Sequence, residues 1–251
     1  MNIYDKEKYC TPAEEPTKQE MESAVKSLVE YMHTFDTRPA KKAVLDKWPV
    51  LYYLFGNIDT GACTFRGEKF LYKNRKYGSK ILKQAARGHI DYDSINSWSI
   101  SAKIALRFAY YYVGSKDSLF NDEPKYNDRF TLCLFLAGVA HQGDGLDLTD
   151  TSKLNSDFGI NEKEIIMPPG KIRCEIMSAA FIDKNNKIYF YSDNTAYSEE
   201  AEGVYKSLVK CCDESNRKQW LDEDDDNYYD IFRIKDINHF IRLYDSYVAN
   251  A

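Results

Sequence analysis

The sequence lacks the features that would place the protein in a membrane or an oxidising compartment. It has no CxxC pair among its six cysteines, no apolar run of membrane-spanning length, and no apolar segment within its N-terminal MNIYDKEKYC. We therefore expect reduced thiols, no membrane span and no cleaved signal peptide. The expected location is cytosolic, or inside a host cell reached by export without such a signal.

Several catalytic and metal-binding motifs are also missing. The sequence has no GxxxxGK[ST], GxGxxG, HExxH or GxSxG. The acidic run LDEDDD alternates aspartates as a calcium loop does, but Asn227 and Arg233 occupy the positions where such a loop needs glycine and glutamate. The four histidines are scattered along the chain, at positions 33, 89, 141 and 239. We expect no metal.

The chain also lacks an excess of basic residues. It has 34 lysines and arginines against 39 aspartates and glutamates, for a net charge of −5. This balance argues against nucleic acid as a partner, because phosphate-backbone binding usually requires a basic face. With 43% apolar and 29% charged residues over 251 positions, the composition is that of an ordinary globular protein.

The hydrophobic pattern predicts a single α+β domain, with helices first and most strands later. Thr17 and Glu20 form a capping-box pattern at the start of an amphipathic helix over 17–34. Residues 1–16 are predicted to form a loose arm before the domain, 17–251. The other predicted elements are a helix from Pro39 to about Leu54, a strand over 62–66, helices over 79–87 and 99–112, a strand over 130–138, a strand pair over 171–192, a helix over 198–212 and a strand–helix segment from Tyr228.

Three short stretches carry candidate functional residues. FRGEKF places Arg66 on the predicted first strand, and INSWSISAKIALRFA places Ser97 and Ser99 before an amphipathic helix. NEKEIIMPPG places Glu162 and Glu164 before an apolar triplet, where an extended backbone would direct both carboxylates to one side. Taken singly, each has an ordinary interpretation: a surface arginine, a helix N-cap and an exposed strand edge.

Taken together and in this order, the three stretches resemble the R-S-E class of mono-ADP-ribosyltransferases. Ser97 follows Arg66 by 31 residues and Glu164 follows Ser97 by 67, and the resemblance covers roughly 60–180. It implies an ADP-ribosyltransferase-like core of two packed, mostly antiparallel sheets. The helical lead-in would be 17–60, the catalytic core 61–192 and the C-terminal extension 193–251. Trp98 departs from the family, which usually has threonine between the two serines.

The resemblance implies NAD as co-substrate and a role for each matched residue. Glu164 would stabilise the ribosyl cation that forms as nicotinamide leaves, and Arg66 would bind the NAD phosphates or the neighbouring ribose. Gly67 would hold the carboxamide of nicotinamide through its backbone. Ser97 would bond Glu164 and the ribose, with Ser99 in support.

The same resemblance implies a protein acceptor, most simply a host protein modified on arginine. Glu162 would orient the acceptor guanidinium and take its proton. The preceding loop, 152–161, would recognise the acceptor, with Phe158 either exposed or packed inward. The enzyme would be an injected effector toxin or a phage enzyme. Two alternatives stay open: an NAD glycohydrolase, in which water takes the ribose, and a non-catalytic binding module on the same fold.

Overall fold

The computed structural model describes residues 9, 11–34, 37–56, 62–110, 130–140, 144–150, 154, 163–185, 187–193 and 231–250. The helices are α1 (Lys18–Thr34), α2 (Arg38–Asp46), α3 (Trp48–Phe55), α4 (Arg75–Ala85), α5 (Ala102–Tyr110) and α6 (Ile237–Asn250). The strands are β1 (Ala62–Leu71), β2 (His89–Tyr92), β3 (Asn96–Ser99), β4 (Phe130–Ala140), β5 (Leu146–Leu148), β6 (Glu164–Met167), β7 (Gly170–Ile182), β8 (Ile188–Ser192) and β9 (Ile231–Ile234). Within these ranges, no helix combines the length and the apolar character needed to cross a membrane.

Helix α1 begins with the predicted capping box. The Thr17 N–H donates to a Glu20 carboxylate oxygen at 2.8 Å, and the Glu20 N–H donates to the Thr17 hydroxyl at 3.3 Å. Hydrogen bonding from Thr17 also lowers the pKa of Glu20. The single helix predicted from Pro39 is in fact two, α2 and α3, which Lys47 separates. Pro49 explains the break, since proline has no N–H for a continuing helix but is well suited to a first turn.

By its contacts the described chain divides into two compact units. The first comprises Met1–Phe65, Ile90–Ala102 and Gly138–Arg173. Its core joins the inner faces of α1, α2 and α3 to residues of β5 and β6. On α1 the buried side chains recur at helical spacing, and the fully buried members of this core include Leu28, Val44, Leu51, Leu146 and Ile166.

The second unit comprises Arg66–His89, Lys103–Ala137 and Cys174–Ala251. Its core is aromatic: the ring of Phe181 on β7 contacts Tyr189 at 4.5 Å and Tyr244 at 5.2 Å between ring centroids. Helices α4 and α6 are joined by polar contacts, in which Asp245 accepts from the Ser79 hydroxyl at 2.7 Å and pairs with Lys83 at 2.8 Å. These contacts fix the C-terminal helix on the unit.

The structure confirms an α+β fold with a large sheet. Of the five strand pairings with an assigned register, four are antiparallel and the pairing of β8 with β9 is parallel. Hydrogen bonds join the described strands in one order, β5-β6-β3-β1-β4-β7-β8-β9, with β2 on β7. The described strands thus belong to one hydrogen-bonded sheet.

Most predicted elements are present with shifted ends. β1 extends past the predicted 62–66 to Leu71, α4 begins at Arg75 rather than at 79, and β7 and β8 form the strand pair predicted over 171–192. The short strands β2 and β5 were not predicted. The predicted helix over 198–212 and the acidic loop lie outside the described residues.

Candidate active site

Arg66 is held in an ion pair on β1. Its Nε donates to a Glu68 carboxylate oxygen at 2.5 Å, and the two side chains are 22% and 9% exposed. The pairing follows from the strand, because residues two apart point to the same side. A charge-assisted bond of this kind limits the directions that the guanidinium can take. Arg66 is thus a partly buried, oriented cation rather than a solvated surface charge.

Gly67 lies against the backbone of α5. A Cβ atom at this position would stand 2.1 Å from the carbonyl oxygen of Ala105 and 2.3 Å from the amide nitrogen of Ala109. Glycine is therefore needed for the helix to pack this closely on the strand. This steric role explains Gly67 and the small residues of α5 together, while the expected contact of Gly67 with nicotinamide stays a prediction.

Strand β3 directs its two serines to one face and Trp98 to the other. The side chain of Trp98 is 2% exposed, and its indole N–H donates to the Asn96 side-chain oxygen at 2.7 Å. Its ring lies over Gly138, where an added Cβ would come within 3.0 Å of the indole. The departure from the family's threonine is thus accommodated in the core, on the face opposite Ser97 and Ser99.

The hydroxyls of the two serines have different partners. Ser97 is half-buried, and its Oγ lies 3.0 Å from the hydroxyl of Tyr31 on α1. Ser99 is buried, and its Oγ accepts from the Ser101 N–H at 3.0 Å, just before α5 begins. This bond closes a turn before the helix and orients the chain as it enters α5. The sequence offered Ser99 or Ser101 as the cap, and because α5 begins at Ala102 the N-cap position is that of Ser101.

Glu164 is a buried carboxylate at the start of β6. It is 8% exposed and lies between β3 and β5, where its backbone partners are Ser99 and Leu148. Paired residues in an antiparallel ladder direct their side chains to the same face. The register therefore places Glu164 on the serine face of the sheet. A carboxylate this deeply buried is uncommon without a specific role.

Strand β1 borders the same ladder from the other side. Phe65 pairs with Ser99, so the order of strands at this point is β1, β3, β6. Arg66 is the residue after Phe65 on β1. The strands that carry the arginine, serine and glutamate motifs are thus consecutive in the hydrogen-bonded order. Because Phe65 is the residue in register with Ser99, strand alternation directs the next side chain, that of Arg66, to the opposite face of β1. The register therefore does not place Arg66 with Ser99 and Glu164.

The backbone just before Glu164 is not extended, although the sequence favoured an extended segment here. Lys163 has a φ of 47°, in the left-handed region, and β6 begins only at Glu164. The Lys163 carbonyl accepts from the Ile100 N–H at 3.1 Å, which ties this turn to the end of β3. The simple alternation that would align Glu162 with Glu164 therefore does not apply.

Part of the predicted acceptor region lies outside the described residues. Glu162 and Phe158 are among those residues, so their expected roles stay predictions. Within the loop 152–161 the structure describes Leu154, which is 2% exposed and packs into the core of the first unit. One residue of the predicted recognition loop is thus a buried anchor.

Two contacting residues were not recognised from the sequence. Glu68 stands two residues after Arg66, and strand alternation could have identified it. Tyr31 could not be assigned this way, because its partner Ser97 is 66 residues away in the chain. Across the ranges that the structure describes, no group of histidine, cysteine, aspartate and glutamate side chains is arranged to hold a metal ion.

Comparison with known proteins gives two structural matches. No protein-family model and no curated protein matches the chain. The Vis toxin, an ADP-ribosyltransferase from Vibrio splendidus, is 15% identical over 72% of this chain and 75% of its own, with a TM-score of 0.32. A structure of ADP-ribosyltransferase Vis in complex with agmatine is 15% identical over 79% of this chain and 89% of its own, with a TM-score of 0.33. The fold description above therefore stands on the helices and strands of this chain alone.

Proposed function

We propose that the protein is an NAD-dependent mono-ADP-ribosyltransferase that transfers ADP-ribose to a protein acceptor. The observation that carries the proposal is the buried carboxylate of Glu164, in register with Ser99 on the neighbouring strand. The motif order in the sequence supplies the arginine and serine that this class of enzyme uses together with such a carboxylate.

The donor set suits the chemical groups of NAD. A guanidinium presents several N–H groups in a fork that matches phosphate oxygens, which fits Arg66 to the diphosphate. Serine hydroxyls and a carboxylate suit ribose hydroxyls, which fits Ser97, Ser99 and Glu164 to the nicotinamide ribose. In this assignment Gly67 borders the nicotinamide through its backbone.

Glu164 would act on charge that develops during the reaction. As the bond between nicotinamide and ribose breaks, positive charge accumulates on the ribose, and a fixed carboxylate stabilises that charge more than it stabilises the ground state. Burial increases the effect, because little water is present to screen the interaction. Ser97 would hold the carboxylate and the ribose in place.

Glu162 would act on the acceptor. A guanidinium is a weak nucleophile until a carboxylate orients it and takes a proton, so a second glutamate favours arginine as the modified residue. Phe158 in the loop 152–161 would contact the acceptor protein. The acceptor is most simply a host protein, with the enzyme acting as an effector in a host cytosol or as a phage enzyme in its bacterium.

The test uses labelled NAD. Wild type and Glu164→Ala are incubated with labelled NAD and a host or bacterial lysate, and labelled proteins are identified by mass spectrometry. A parallel reaction replaces the lysate with agmatine, which presents a guanidinium without a protein. Label on a protein with wild type only supports the transferase and identifies the modified residue.

The other outcomes distinguish the alternatives. Nicotinamide release without a labelled product, in either reaction, favours the NAD glycohydrolase. NAD binding without cleavage favours the binding module and contradicts the proposal. Label on agmatine without label on any lysate protein supports guanidinium transfer and directs the search to another source of acceptor.

A further inference from the structure

Tyr31, on helix α1 of the helical lead-in, contacts the serine strand. Tyr31 lies on the buried face of α1 with Ala24 and Leu28, at helical spacing of four and then three residues. Tyr31 is 7% exposed and belongs to the core of the first unit, which also contains Ile166. Ile166 is the backbone partner of Ser97. Packing therefore fixes the tyrosine ring beside the face of the sheet that carries Ser97.

The hydroxyl of Tyr31 reaches the hydroxyl of Ser97 across this packing. The two oxygens are 3.0 Å apart, a hydrogen-bond distance, and either could be the donor. A serine hydroxyl carries one proton and two lone pairs, and its proton rotates freely unless a partner selects a direction. If Tyr31 donates, the Ser97 oxygen is occupied as an acceptor and its own proton is left to point elsewhere.

On β3, Ser97 lies two residues before Ser99, and Ser99 is the residue that pairs with Glu164 in the ladder. Ser97 and Ser99 share a face, and Ser99 is paired with Glu164. The proton of Ser97 can then be directed toward the side of the strand that Glu164 and a bound ribose would occupy. A hydroxyl group whose proton already points toward the reacting groups does not have to reorient when charge develops. Such preorganisation is the condition for effective electrostatic catalysis.

We propose that Tyr31 is a positioning residue that donates its hydroxyl proton to Ser97 and so fixes the direction of the Ser97 hydroxyl for NAD cleavage. The inference rests on the proposed function, since it assigns Tyr31 to the same site. It gives the helical lead-in a part in catalysis through α1, in addition to its part in the core.

The test is a double-mutant cycle on nicotinamide release, with wild type, Tyr31→Phe, Ser97→Ala and the double variant. Tyr31→Phe removes the hydroxyl and keeps the ring. One hydrogen bond is expected to be worth about threefold to tenfold in kcat, with KM for NAD within about twofold of wild type. In the Ser97→Ala background the same change should have no further effect on kcat, because the tyrosine acts through the serine.

A matched variant separates positioning from general loosening of the core. Val44→Ala removes two methyl groups from α2 in the same cluster as Tyr31. It should lower the melting temperature at least as much as Tyr31→Phe does, while kcat stays within about twofold of wild type. A purely structural role for Tyr31 would make the two variants behave alike in kcat.

Three results would overturn the inference. Wild-type kcat in Tyr31→Phe shows that the hydroxyl does not matter, and equal losses in the wild-type and Ser97→Ala backgrounds show that it does not act through Ser97. Equal loss of kcat in Val44→Ala assigns the effect to packing. Failure of the proposed function is distinguishable, because wild type would then release no nicotinamide, and the positioning role would fail with it.

Discussion

Ser99 lies directly opposite Glu164 in the antiparallel ladder between β3 and β6. The pairing brings a serine motif and a glutamate motif, separated by more than sixty residues of sequence, to one face of the sheet. Because Trp98 points to the other face, the tryptophan in the serine motif leaves that arrangement intact. Strand register therefore sets the position of Ser99 and Glu164 in the candidate site.

Changing Glu162 should separate transfer from NAD cleavage. We expect Glu162→Ala to reduce transfer to agmatine or protein by about 100-fold or more, because the acceptor loses the carboxylate that takes its proton. Nicotinamide release in the absence of acceptor should stay within about threefold of wild type, as water needs less activation by that carboxylate. Parallel assays of label transfer and nicotinamide release measure both. Equal loss of the two activities would contradict the acceptor role.

Changing Arg66 should weaken NAD binding even when positive charge is kept. Arg66→Lys cannot reproduce the fork of N–H donors, and we expect the Kd for NAD to rise about 10-fold to 100-fold. Titration calorimetry with NAD measures the change. Arg242→Lys is the matched control, because Arg242 is exposed on α6 and should leave the Kd unchanged. An unchanged Kd in Arg66→Lys would remove Arg66 from the binding site.

Adding one methyl group at Gly67 should destabilise the second unit. The new Cβ would overlap the backbone of α5, and we expect Gly67→Ala to lower the free energy of unfolding by about 3 kcal/mol. Gly88→Ala is the control: it has a positive φ of 83° but no atom near the added Cβ, so about 1 kcal/mol is expected. Urea unfolding monitored by circular dichroism measures the free energy of unfolding of each variant. Equal losses would show that α5 can move away from β1.

The described cysteines should differ sharply in reactivity. Burial raises the pKa of both Cys133 and Cys174 to about 12, so the reactive thiolate is scarce at pH 8. Cys63 is exposed. Treatment of the native protein with iodoacetamide at pH 8, followed by peptide mass spectrometry, should label Cys63 and spare the other two. Labelling of Cys133 in native protein would contradict the burial of β4, while labelling after denaturation is the positive control.

The parts of the fold that could be predicted are those encoded within a few residues. The capping box of Thr17 and Glu20 marks the start of α1, and an uninterrupted apolar run marks β4. The helix break at Lys47 was missed because the apolar pattern continues through it, although Pro49 was a signal for it. Strands β2 and β5, with four and three residues, are too short to show a pattern against their surroundings.

The parts of the candidate site that could not be predicted depend on long-range contacts. The motif residues were proposed from their order along the chain, but the contact of Tyr31 with Ser97 depends on how α1 packs on the sheet. The left-handed backbone of Lys163 could not be predicted, because the sequence NEKE contains no glycine or asparagine between the two glutamates that would indicate it. The contact of Glu68 with Arg66 could have been predicted, because alternation along β1 directs both side chains to the same side.

The most direct test of the account is nicotinamide release from NAD by wild type and by Glu164→Gln. The amide keeps the size of the buried side chain and removes its negative charge, so the circular dichroism spectrum should be unchanged. We expect release by wild type and a loss of about 100-fold or more in kcat for the variant, since the charge that stabilises the ribosyl cation is gone. Wild-type kcat in a folded Glu164→Gln variant would contradict the assignment of Glu164, and with it the proposed site.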